Sequence, residues 1–183
     1  MIELYTWMTD NGYETAHSFE RALEMEDQRF GDARFAKNPP WYFWNYMYFR
    51  SGLFGEQLSR YLERYDRSRF HFTTLRALSE NPRETQEGVH RFLGVEPHPV
   101  EHQAENVTKG VRSPRVRFHQ RQITDLLEAR DWPGASRVDR LVGRLNRGTR
   151  PQIKPETRAR LLERFADDIA LTEALCGIDT SNA

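Results

Sequence analysis

Lysine is nearly missing from this sequence: of 27 cationic side chains only Lys37, Lys109 and Lys154 are lysines, and the rest are arginines. The planar arginine fork suits phosphate and sulfate oxygens, although genomic base composition produces the same bias. Cysteine is scarcer still. Cys176 stands alone, which excludes an intramolecular disulfide and fits a reducing cytoplasm; its apolar helical setting reads as a buried structural thiol. No run of about 18 apolar residues exists, and the start MIELYTWMTDNG has neither a basic region nor an apolar h-region. No membrane partner is therefore read, and a cytoplasmic location is expected. The patterns G-x-S-x-G, G-x-G-x-x-G, C-x-x-C and the P-loop are also absent. Among six histidines only His98 and His102 are close, near Glu96 and Glu101; chance clustering accounts for them better than metal ligation, so no metal is expected.

What is present is aromatic and unevenly charged. Of the nine residues 41–49, seven are aromatic, and the stretch leads through an amphipathic segment to Leu78. The spacing predicts a helix with Trp41, Trp44 and Tyr48 on one face and Tyr42, Tyr46 and Phe49 on another. Such a helix either sits between layers as core or lines a cleft that contacts a substrate ring. Overall net charge is zero, but residues 109–164 hold 15 Lys and Arg against 6 Asp and Glu, a net of +9. Part of that block either faces an anion or forms a solvated helical face. Nucleic-acid binding finds no recognisable module and no aromatics interleaved with the cations, so no nucleic-acid partner is read.

At 183 residues one domain with one core is expected. Ile2–Met8 reads as a helix with no capping residue before it, as though the chain starts within an element. Asp10-Asn11-Gly12 is a turn, and Ser18 caps a helix through about Arg29, with Phe19, Leu23 and Phe30 near one face. Pro39-Pro40 forbids helix just ahead of the aromatic block. A second helix follows Ser51-Gly52, from Leu53 to Tyr65. Arg69–Leu75 is the best strand, without a visible partner; a lone strand cannot satisfy its own backbone. Pro82 opens a helix that Gly94 closes. Residues 95–118 read as a long loop, functional by length, followed by helices at His119–Arg130, Ala135–Arg147 and Pro155–Cys176. Within the loop, Asn106-Val107-Thr108-Lys109-Gly110-Val111-Arg112-Ser113-Pro114-Arg115 has the ingredients of an anion cradle: a permissive glycine, two nearby cations and two hydroxyls.

The order of blocks Gly12-Tyr13-Glu14-Thr15, Ser18-Phe19-Glu20-Arg21-Ala22-Leu23, Tyr48-x-x-Ser51-Gly52-Leu53-Phe54-Gly55-Glu56-Gln57-Leu58, Asn81-Pro82 and Phe92-Leu93-Gly94-Val95 resembles the C-terminal part of the sulfotransferase domain, in its bacterial and heparan-sulfate-type branch. The resemblance implies an α/β, P-loop-like fold, represented here by a mostly helical portion with one or few strands. It implies transfer of a sulfuryl group from 3′-phosphoadenosine 5′-phosphosulfate to a hydroxyl or amine acceptor, small-molecule or carbohydrate. By that resemblance Lys109, Gly110, Arg112 and Ser113 are similar to the family's K-G-x-x-x-P loop over the 3′-phosphate. Val111 departs from it, standing where the family usually has arginine. The upstream loop for the 5′-phosphosulfate, the usual catalytic Glu or His and the Arg…Ser element have no counterpart, so catalytic residues stay unassigned and the chain reads as truncated. Trp41, Trp44 and Tyr48 would then border the acceptor cleft. A second expectation is a noncatalytic helical binding module derived from such a domain; a homo-oligomer is compatible with either, since an exposed sheet edge favours pairing.

Overall fold

The computed structural model describes residues 1–98 and 110–179. Lys109, His102 and most of the first half of the expected loop lie outside the described residues. The chain divides into two compact units, one of Met1–Gly52 and Asn106–Arg160, the other of Leu53–Glu105 and Leu161–Ala183. The described residues are mostly helical, as expected.

In the first unit, α1 (Ile2–Asp10) begins without a side-chain cap. Gly12 follows at φ 72°, a backbone angle that glycine adopts without strain. The Ser18 hydroxyl accepts from the Arg21 N–H and starts α2 (Phe19–Glu24), a contact typically worth about 1 kcal/mol. The helix expected to run on to Arg29 breaks at Met25 into α3 (Glu26–Gly31). The buried face is also not the expected one. Phe19, Ala22, Glu26 and Arg29 are buried, whereas Phe30 is exposed. Asp32 caps a further short helix, α4 (Ala33–Lys37), by accepting from the Arg34 and Phe35 N–H groups.

The expected helix through the aromatic block does not form. Two short 3-10 turns, Phe43–Tyr46 and Arg50–Gly52, take its place. Tyr46, Met47 and Tyr48 are consecutive and all fully buried, an arrangement that one helical face cannot produce. The chain can bend there because its backbone groups find other acceptors: the Glu26 carboxylate receives the N–H groups of Phe49 (2.7 Å) and Arg50 (3.0 Å). Met8, Tyr13, Tyr46 and Met47 form the apolar centre, with Leu4, Phe35 and Phe43 against it.

The first unit closes with α8 (Pro114–Glu128) and α9 (Ala135–Leu145). Helix α8 starts five residues earlier than the sequence reading, because the Ser113 hydroxyl accepts from the Val116 N–H and Pro114 takes a first-turn position where no donor is needed.

The second unit holds α5 (Phe54–Leu62), α6 (Leu75–Glu80), α7 (Pro82–Leu93) and most of α10 (Pro155–Cys176). Asp168 of α10 accepts from the first backbone donors of α5, those of Gly55 (3.0 Å) and Glu56 (2.9 Å). Gly94 at φ 69° ends α7 as expected. The strand expected at Arg69–Leu75 is corrected. Phe70 has extended angles and so does Thr74, but no ladder forms there, and the Thr74 hydroxyl instead caps α6 through the Ala77 N–H. Among the described residues the β contacts reduce to one isolated bridge, Val111 with Arg147, in the first unit. Cys176 is buried, and burial pushes its thiol above the ordinary value.

Candidate functional site

Blocks far apart in the sequence meet at Glu14. Arg29 grips its carboxylate with both terminal nitrogens, Nη2 to Oε1 at 2.7 Å and Nη1 to Oε2 at 2.8 Å. The Tyr48 hydroxyl donates to Oε2 at 2.9 Å, and the N–H groups of Thr15 and Ala16 donate to Oε1 at 2.8 Å. Glu14 is fully buried and Arg29 nearly so. Burial pushes the Glu14 carboxyl up, but the Arg29 hydrogen bonds and charge, with the Ala16 amide and Tyr48 hydroxyl, more than offset this and hold it below the ordinary value. Tyr48 is pushed well above its ordinary value, by burial first and by the Glu14 charge second. Its ring lies edge-on to those of Tyr5 and Phe19, 6.2 and 6.0 Å away between centroids.

Trp41, Trp44 and Tyr48 therefore do not share a face. Tyr48 has no exposed surface, while Trp41 and Trp44 are 44% and 46% exposed. Trp41 stacks on Tyr13 at 4.3 Å, and the Arg121 guanidinium lies 4.3 Å from the same Tyr13 ring. Trp44 contacts Phe43 and Phe30.

Of the expected anion loop, Gly110, Arg112 and Ser113 are described, and Lys109 lies outside the described residues. Gly110 sits at φ 78°, and a Cβ there would meet the Thr149 carbonyl oxygen at 2.5 Å, so position 110 requires glycine twice over. Three amides of this loop donate to acceptors within the protein. Gly110 N–H donates to Asp10 Oδ2 (3.2 Å), Arg112 N–H to the Asn146 carbonyl (2.7 Å) and Ser113 N–H to Asn146 Oδ1 (2.9 Å). The Asn146 side chain returns a bond to the Ser113 carbonyl at 2.9 Å. These donors are committed within the protein, so an anion at this loop would be met by side chains. The Arg112 side chain is exposed; the Ser113 hydroxyl is engaged as the α8 cap.

Beside Gly110 a pocket of about 350 Å³ opens, lined by four arginines, Arg117, Arg140, Arg144 and Arg147, and by Asp10 and Asp139. Arg117 is occupied: Nε donates to the Asp10 carbonyl and Nη1 pairs with Asp139 at 2.8 Å. The other three are exposed. Residue-by-residue reading missed this group, although its signals were present: the +9 block and the four-residue spacing of Arg140 and Arg144. Among the described residues no group of three or more His, Cys, Asp and Glu side chains is placed to hold a metal ion, and no helix is long and apolar enough to cross a membrane.

Comparison with family models, with curated proteins and with solved structures finds no match to this chain.

Proposed function

We propose that this protein is of the sulfotransferase kind: a polypeptide of an α/β, P-loop-like domain that binds 3′-phosphoadenosine 5′-phosphosulfate and serves transfer of its sulfuryl group to a hydroxyl or amine acceptor, carbohydrate included. One observation carries the reading. The blocks on which the resemblance rests converge in space, Glu14 from the first, Phe19 from the second and Tyr48 from the third, in one buried cluster. In this reading the 3′-phosphate is met at Lys109–Ser113 by the Lys109 and Arg112 side chains, since the neighbouring amides are engaged. Titration calorimetry of the 183-residue chain with 3′,5′-adenosine bisphosphate tests it. The expected result is saturable binding that weakens with added salt and by about tenfold in Lys109→Ala or Arg112→Ala. Unchanged affinity in both variants sinks the assignment.

The committed amides of Gly110, Arg112 and Ser113 favour a second reading, a noncatalytic helical binding module of the same origin. The titration separates the two: a binding module has no requirement for adenosine bisphosphate.

A further inference from the structure

Three arginines that the sulfotransferase reading does not use face one pocket. Arg140 and Arg144 are one turn apart on α9, so they lie on the same side of the helix. Arg147 follows just past the helix end and, like them, lines the pocket beside Gly110. Like charges on successive turns repel and weaken a helix. Elsewhere in this chain arginines on exposed helices have carboxylates at the same spacing, as Arg76 has Glu80 and Arg83 has Glu87. Here the nearby acids are committed: Asp139 to Arg117, and Asp10 Oδ2 to the Gly110 amide. Among the described residues Arg144 and Arg147 have no acidic partner, and Arg140 donates only to the Ser136 carbonyl of its own helix.

The helix dipole accounts for part of this and no more. A cation in the last turn complements the negative end of α9, which explains Arg144. Arg140 lies a turn earlier and Arg147 beyond the end. Counting the lining, four arginines face two aspartates, an excess of two positive charges. The floor is also fixed. Arg112 N–H bonds the Asn146 carbonyl, and Gly148 N–H bonds the Gly110 carbonyl, so the Gly110 turn cannot swing away from Arg147.

We propose that this pocket is a binding site for a tetrahedral dianion, a phosphate or a phosphate monoester, held by the side chains of Arg140, Arg144 and Arg147. The site goes beyond the sulfotransferase reading and does not depend on it. Guanidinium forks bind such oxygens by charge-assisted, often paired hydrogen bonds, and a dianion cancels the excess charge and the repulsion along α9 together.

The test follows arginine Nε–Hε resonances of the 183-residue chain during titration with inorganic phosphate, with sulfate, with 3′,5′-adenosine bisphosphate and with 5′-AMP. Saturable shifts confined to Arg140, Arg144 and Arg147 are expected with inorganic phosphate, and affinity weaker by about tenfold in the double variant Arg144→Gln/Arg147→Gln. Arg130→Gln, in the turn just past α8, serves as the control and should bind as the parent does. The shift map of the unaltered protein decides the question even if the double variant folds poorly. Shifts spread evenly over all exposed arginines, or equal affinity in the double variant and parent, overturn the proposal. Adenosine bisphosphate binding that needs Arg112 but is indifferent to Arg144 and Arg147, with no phosphate response at those residues, removes this site and leaves the sulfotransferase reading. Phosphate and 5′-AMP binding that needs Arg144 and Arg147, with no preference for the bisphosphate, supports the site and counts against that reading. A response to sulfate as strong as to phosphate assigns the site to tetrahedral oxyanions generally and supports it.

Discussion

Arg29 and the arginines at the end of α9 and just past it carry the same group into opposite surroundings within one unit. Arg29 is buried against Glu14 and makes paired hydrogen bonds to it. Arg144 and Arg147 are exposed and, among the described residues, have no acidic partner. The contrast shows that an arginine-rich composition carries no single meaning. A guanidinium whose donors are matched inside the protein is part of the fold, and one left in solvent beside a pocket is available to a ligand.

Removing the buried side of the comparison has the largest effect. Glu14→Ala leaves Arg29 buried without its counter-charge, and urea denaturation should show a loss of about 3–5 kcal/mol, or no folded protein. A loss under about 1 kcal/mol would mean that Arg29 reaches water freely.

Acid provides a graded version. The Glu14 carboxyl titrates below its ordinary value when folded, so its contribution is complete above the unfolded-state value and is lost as pH falls through the lower, folded one. Stability should therefore decline on the acid side of the ordinary glutamate range. Glu14→Gln should be less stable at neutral pH and show a shallower acid slope. Equal slopes in the two proteins would assign the acid sensitivity to other carboxylates.

Tyr48→Phe removes the contact of one of four donor residues to the Glu14 carboxylate while keeping the ring against Phe19. A loss of about 1.5 kcal/mol is expected, as for a hydrogen bond to a charged group. At the other pole, Arg144→Gln/Arg147→Gln should change stability by no more than about 0.5 kcal/mol, since exposed cations contribute little. A drop as large as that of Tyr48→Phe would move these arginines into the structural class.

Much of the helical framework was legible in the sequence because its signals are local. Ser18, Pro82, Gly94 and Pro155 mark helix ends through donors and angles that depend only on near neighbours. The aromatic block was misread because periodicity assumes that backbone acceptors come from the same helix, whereas Glu26, more than 20 residues earlier, supplies them. The residues 70–74 were misread for a related reason: strand propensity describes a side-chain pattern, and a ladder also needs a second chain segment, which the described residues do not provide. At the candidate site, the composition of the loop singled out Gly110, Arg112 and Ser113 as an anion-cradle expectation. The direction of their amides was not legible in it, because Asp10 and Asn146 reach the loop from 100 and 33 residues away.

The crossing of Gly110 and Gly148 has a consequence in time as well as space. A Cβ at Gly148 would lie 2.6 Å from the Arg112 nitrogen, so the two backbones touch with no side chain between them. Such a crossing cannot open by a rotamer change. It opens only when whole backbone segments part, and the amide protons of Arg112 and Gly148 should accordingly be among the slower to exchange with deuterium in this region, while those of residues 71–73, with no backbone ladder to hold them, exchange quickly.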